Sequence, residues 1–139
     1  MINTVLSIDD DHVTQLLNKI HLDAEKFCTN VIEASNGLEA IDFFKKLDSG
    51  EVSMDSFPEI IFLDLNMPVM EGWEFFEVFK RDFAHFAEKT NIFIVSSSIN
   101  PADTERAKNE ASIVAFLEKP LNAQSLKKVI NFLGLKENI

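Results

Sequence analysis

Tyrosine is missing altogether, and tryptophan and cysteine occur once each. The remaining aromatic side chains are thirteen phenylalanines. These rings need no hydrogen-bond partner, so a dry core is expected. With Cys28 alone, no internal disulfide can form, and a reducing, cytoplasmic compartment is expected. No apolar run approaches the ~18 residues of a membrane helix, and the opening Met1-Ile2-Asn3-Thr4 lacks a basic leader. Positive charge is scarce too: 13 basic against 23 acidic side chains leave a net charge of −10. Such a field repels nucleic acid and anionic membranes, and favours a divalent cation or a basic protein surface. Solubility alone would account for the total equally well.

What is present suits a single globular domain over residues 1–139, with a core over about 3–134. Five short apolar runs have strand length: Val5–Ile8, Val31–Ala34, Ile60–Leu63, Ile92–Val95 and Ile113–Leu117. Three are continuously apolar, as strands covered on both faces are. Helical spacing fills the gaps. Val13, Leu16, Leu17 and Ile20 define a first helix over roughly 11–24. Asn36 can cap a second, with Leu38, Ile41, Phe44 and Leu47 on one face and Gly50 past its end. Gly72 precedes a third, with Trp73, Phe76 and Phe79 on one stripe. Asn100-Pro101 opens a fourth, whose stretch Ala102–Ala111 has little apolar surface and should pack lightly. Asn122 caps a fifth, with Leu126, Val129, Ile130 and Leu133, and Gly134 at its end. Asp48–Pro58 is the longest segment expected to be irregular.

Alternation of strand and helix predicts an α/β fold with a parallel sheet and helices on both faces. In the flavodoxin-like strand order 2-1-3-4-5, ligands bind beyond the carboxyl ends, at the switch between strands 1 and 3. Asp9, Asp10 and Asp11 follow strand 1, and Asp64 to Pro68 follow strand 3. Ser96-Ser97-Ser98 follow strand 4, and Glu118-Lys119-Pro120 follow strand 5. Carboxylates gathered at one edge raise one another's pKa unless a cation compensates. Mg²⁺ suits such an oxygen set, whereas His12, His21 and His85 are scattered and offer no zinc or copper site. A carboxylate in this setting can act as a nucleophile toward phosphorus, with Lys119 and a hydroxyl such as Ser96 on the phosphoryl oxygens. Asp9, Asp10 and Asp11 could instead merely cap the first helix. Asp64 is harder to dismiss, because a lone charge ending so apolar a strand is costly.

Four signatures occur in order: Ile8-Asp9-Asp10, Phe62-Leu63-Asp64-Leu65-Asn66-Met67-Pro68, Val95-Ser96 and Lys119-Pro120. In these, and from Val5 to Leu133, the chain resembles the receiver (CheY-like) domain of the two-component response-regulator family. The resemblance implies Asp64 as phospho-acceptor and Mg²⁺ or Mn²⁺ as cofactor. Asp10, Asp64 and the Asn66 backbone carbonyl would be metal ligands, with Asp9 acting through water. Lys119 would contact the phosphoryl group, Ser96 would be the switch hydroxyl, and Phe116 the switch aromatic. Pro120 would follow a cis peptide bond. Asn66 and Ser98 would flank the path of the attacking water.

The implied phosphodonor is a sensor histidine kinase or a histidine phosphotransfer protein. The implied output is contact with a downstream protein through the fourth helix, fifth strand and fifth helix, by a monomer or a phosphorylation-dependent dimer. Ser for the commoner Thr at 96, and Phe for Tyr at 116, depart from the family pattern without removing a reactive group. Residues 134–139 are too few for an output domain, and no helix-turn-helix or basic stripe suggests DNA binding. Three rivals remain. A haloacid-dehalogenase-like phosphatase wants an Asp where Asn66 stands. A flavin-binding module wants a hydroxyl- and glycine-rich loop where three aspartates stand. The third is a receiver that binds partners without being phosphorylated.

Overall fold

Continuous apolar runs become strands buried on both sides. The computed structural model describes residues 2–134. Its elements are β1 (Ile2–Ile8), α1 (His12–Ala24), β2 (Cys28–Ala34), α2 (Gly37–Ser49), a 3-10 turn at Met54–Ser56, β3 (Ile60–Leu63), α3 (Gly72–Asp82), α4 (Ala84–Ala87), β4 (Asn91–Ser96), α5 (Pro101–Ala107), β5 (Ile113–Glu118) and α6 (Ala123–Phe132). The sheet is parallel throughout, in the expected order β2-β1-β3-β4-β5. Central β3 is buried at all four positions.

The strands outrun their apolar cores where a parallel neighbour bonds polar residues as readily as apolar ones. Thr4 pairs Asn30, for example, in a stretch that hydrophobicity does not mark. Sheet residues alternate between two clusters. Leu6, Ile8, Ile61, Leu63, Ile92 and Ile94 face α2, α3 and α4. Val5, Ile60, Phe62, Phe93, Val95 and Leu117 face Leu22 of α1 and Leu126 and Val129 of α6. The expected dry phenylalanine core lies in the first cluster. Phe44 is 4.5 Å from Phe79, ring centre to ring centre, and Phe75 stacks on Phe79 at 5.4 Å.

Four expectations need correction. The stripe Val13, Leu16, Leu17 and Ile20 does mark a helix, but it faces outward, 65, 58, 38 and 51% exposed, while Gln15, Asn18 and Leu22 are buried. Leu38 is likewise exposed, and Gly37 and Ala40 join Ile41, Phe44 and Leu47 on the buried side of α2. The segment Asp48–Pro58 is less irregular than its composition suggests, since α2 runs to Ser49 and a 3-10 turn comes next. The one-turn α4 was not expected; there Phe86 and Ala87 are buried beside Phe83. The light packing of the fourth expected helix, α5, is observed: it ends at Ala107, its only buried residue.

Polar contacts secure α5 instead. Trp73 Nε1 donates to Asp103 Oδ1 at 2.9 Å, the Arg106 guanidinium lies over the Trp73 ring at 4.3 Å, and Arg106 pairs with Glu77 at 3.3 Å. The capping expectations hold at Asn36, Asn100 and Asn122, the last forming a reciprocal capping box with Ser125.

Candidate functional site

Parallel pairing of β1 with β3 matches Ile8 to Leu63, so the next residue of each strand, Asp9 and Asp64, emerge side by side. The Asp64 amide donates to the Ile8 carbonyl at 3.0 Å and extends that ladder. Both carboxylates are only 4% exposed. β5 lies two strands from β3, yet Lys119 reaches back across the edge. Its Nζ lies 2.8 Å from Asp9 Oδ2 and 3.3 Å from Asp64 Oδ2, while its backbone amide donates to the Ser96 carbonyl at 2.9 Å. The Lys119–Pro120 peptide is cis.

The three aspartates after β1 divide by role. Asp11 is the helix cap, accepting from the Val13 amide at 3.0 Å and the Thr14 hydroxyl at 3.0 Å. The Thr14 hydroxyl, then the Val13 amide, hold its pKa below the usual value. Asp9 accepts from the Asp11 amide at 2.9 Å and turns its other oxygen to Lys119. Asp10 is exposed, and one carboxylate oxygen from each of Asp9, Asp10 and Asp64 falls within 4.8 Å of the others. Capping therefore explains Asp11 and leaves Asp9 and Asp10 unexplained by it.

Burial, and next the nearby Asp9 carboxylate, push the Asp64 pKa up; Lys119 only partly offsets them. Burial works to lower the Lys119 pKa, but the hydrogen bond it donates to Asp9 and the charges of Asp64 and Asp9 outweigh it and raise the value. One ammonium thus serves two buried carboxylates, with a third at hand. Hard oxygen donors that exceed the local positive charge fit a divalent cation such as Mg²⁺.

The Asn66 amide donates to Asp64 Oδ1 at 3.2 Å, and the Asn66 side chain is exposed. The Ser96 hydroxyl donates to the Ser98 carbonyl at 2.8 Å and accepts from the Ser98 amide at 3.2 Å. Phe116 is partly buried against the first hydrophobic cluster and lines two clefts of about 340 and 300 Å³, one toward α5 and one toward α6.

Three contributors to the site are not recognisable as such in the sequence. Gly72, which there marks only the start of the third helix, packs against the backbone after β3. A Cβ there would stand 2.5 Å from the Asp64 carbonyl oxygen and 2.7 Å from Leu65 Cα, neither of which can swing aside. Gly72→Ala is expected to destabilise the fold by roughly 1–3 kcal/mol through this overpacking, read as a lower urea midpoint. Gln15 and Asn18, inside α1, were the others. Polar residues in an amphipathic helix ordinarily mark its wet side, and here they mark its buried side.

The chain matches the response regulator receiver domain family over residues 5–131. It belongs to that family. A two-component response regulator from Cytophaga hutchinsonii is a similar solved structure, with 30% identity, a TM-score of 0.84, and coverage of 96% of this chain and 98% of that one. The chemotaxis protein CheY4 of Vibrio cholerae is similar at 25% identity and a TM-score of 0.70, covering 94% and 98%. Among curated proteins, the probable C4-dicarboxylate response regulator DctR of Priestia megaterium and the sensor histidine kinase CheAY of Helicobacter pylori are each 24% identical over 91% of this chain. The receiver spans 50% of the former and 14% of the latter. Among its described residues, no helix is long and apolar enough to cross a membrane.

Proposed function

We propose that this receiver accepts a phosphoryl group on Asp64 from a phosphohistidine, carried by a sensor histidine kinase or a histidine phosphotransfer protein in the cytoplasm. One observation carries the reading: a carboxylate with a raised pKa, buried at the end of the central strand, is held against Lys119 and beside two further acids. In the transfer, an Asp64 carboxylate oxygen bonds to phosphorus as the phosphorus–nitrogen bond breaks, and the departing imidazole is protonated from solvent. Lys119 Nζ, 3.3 Å from Asp64 Oδ2, would bind a phosphoryl oxygen. Asp10, Asp64, the Asn66 carbonyl and, through water, Asp9 would hold Mg²⁺ or Mn²⁺, which supplies positive charge to the phosphoryl oxygens.

The outward apolar stripe of α1 favours a protein donor over a small molecule, because four exposed apolar side chains on the helix that follows Asp11 suit a protein contact. The readout would begin at Ser96. Its hydroxyl bonds within its own loop, to Ser98, and a phosphoryl group on Asp64 would draw it away. Phe116 could then turn, and the α5–β5–α6 face that the two clefts mark would change toward a downstream protein. Asn66 supplies no acid/base where a phosphatase needs one, so the role is signalling rather than turnover.

Incubation with Mg²⁺ and a small acyl phosphate tests this reading. One acid-stable, base-labile adduct is expected on the wild type, and none on Asp64→Asn. Steady hydrolysis of phosphate esters without an adduct would favour the phosphatase and overturn the proposal.

A further inference from the structure

α1 turns four apolar side chains to solvent and buries two amides, and the bonds of those amides give the reason. Gln15 is 6% exposed and Asn18 is 3% exposed. Gln15 Nε2 donates to the carbonyls of Ser7 at 3.0 Å, Asp9 at 3.1 Å and Ala34 at 3.2 Å, and Gln15 Oε1 accepts from the Ser7 hydroxyl at 2.7 Å. One side chain thus ties the ends of β1 and β2 together. Asn18, one turn along the same face, accepts from the buried Leu121 amide at 3.0 Å.

Two of these backbone partners, the Asp9 carbonyl and the Leu121 amide, lie next to the chemistry. The Asp9 carbonyl belongs to the peptide unit that joins Asp9 to Asp10, so fixing it fixes the plane from which both carboxylates project. Leu121 stands two residues after Lys119, and its amide is anchored where the chain leaves β5. The Lys119 ammonium and the Asp9 carboxylate, held from opposite ends by one helix face, meet at 2.8 Å. Leucines of similar size at 15 and 18 would complete an apolar face at no hydrogen-bonding cost to themselves. They would also leave the Leu121 amide and the three carbonyls without these partners.

We propose that Gln15 and Asn18 are positioning residues of the phosphoryl-transfer site, Gln15 setting the Asp9–Asp10 pair and Asn18 setting Lys119. This rests on the function proposed above. The two residues act on different halves of the site, so their losses should separate. Gln15→Leu is expected to weaken Mg²⁺ binding by roughly tenfold, as loss of an outer partner of metal ligands does. Asn18→Leu should leave that affinity within about twofold, because Lys119 is not a metal ligand, and slow phosphorylation at saturating Mg²⁺ by roughly tenfold through misplacement of the ammonium. Asn18→Asp keeps an acceptor oxygen for Leu121 and should recover most of that rate.

The measurements are Mg²⁺ titration by calorimetry and the initial rate of acyl phosphate labelling, each on folded protein, with urea midpoints alongside. If Gln15→Leu fails to fold, Ser7→Ala removes only the hydroxyl bond that orients the Gln15 amide and should show the same Mg²⁺ defect in milder form. Lower urea midpoints with wild-type affinity and rate would reduce both residues to structural pegs and overturn the proposal. So would equal losses in both readouts for both leucine variants, which would mean a loosened helix rather than two placed groups. A wild type that neither binds Mg²⁺ nor takes label would instead contradict the proposed function itself.

Discussion

Replacing Lys119 with methionine is expected to destabilise the fold by about 3 kcal/mol at neutral pH, the order of loss when one partner of a buried ion pair is removed. The substitution keeps the length of the side chain and deletes its charge. Asp9 and Asp64, 4% and 5% exposed at their side chains, would then face each other without the ammonium that now touches both. The pH dependence identifies the cause. Asp64 has a folded-state pKa above its ordinary value. The folded protein therefore holds that proton more tightly than the unfolded chain, and stability falls as pH rises through the folded pKa. Without Lys119 the chief opposing influence disappears and the pKa rises further. The defect should be widest near neutrality, narrow as acid protonates Asp64, and narrow again when Mg²⁺ supplies the missing charge. Urea midpoints between about pH 8 and about pH 5, with and without Mg²⁺, read all three effects. A loss indifferent to pH and Mg²⁺ would mean that Lys119 contributes packing only.

Phe44→Ala should cost as much or more, about 3–5 kcal/mol, and respond to neither condition. Phe44 is fully buried on α2 and is ringed by Phe43, Phe75, Phe79, Phe83 and Phe86 at 4.5–6.4 Å between ring centres. Its removal leaves a cavity lined by rings from α2, α3 and α4, which cannot all close on it together. The loss appears as a lower urea midpoint at unchanged slope. Mg²⁺ should restore none of it beyond what it adds to the wild type, since the site lies at the strand ends and not in this layer.

Much of this architecture is legible in the sequence because strands buried on both faces need continuous apolar runs. Ile60–Leu63 matches β3 at both ends, β4 and β5 gain only polar end residues, and β1 and β2 run on through polar pairs to Ile2 and Cys28. The grouping of Asp9, Asp10, Asp64 and Lys119 was legible for a related reason: in a parallel sheet, the residues just past the strand ends gather at one edge. The first helix was legible in position but not in orientation. Periodicity measures how apolar residues are spaced and not which side of the helix meets the sheet, and in α1 the two diverge because Gln15 and Asn18 satisfy backbone groups that an apolar side chain could not. The clasp of Trp73, Asp103, Glu77 and Arg106 on α5 was equally hidden, since it joins residues about thirty positions apart in sequence by hydrogen bonds, charge and ring contact.

Reduction of the labelled protein with borohydride, followed by peptide mapping, tests the central claim most directly. Borohydride converts an aspartyl phosphate to homoserine and leaves free carboxylates untouched. After Mg²⁺-dependent labelling, homoserine is predicted at position 64 and nowhere else. Homoserine at position 9 or 10, or label that resists reduction, would contradict the assignment of Asp64 as the residue that carries the phosphoryl group.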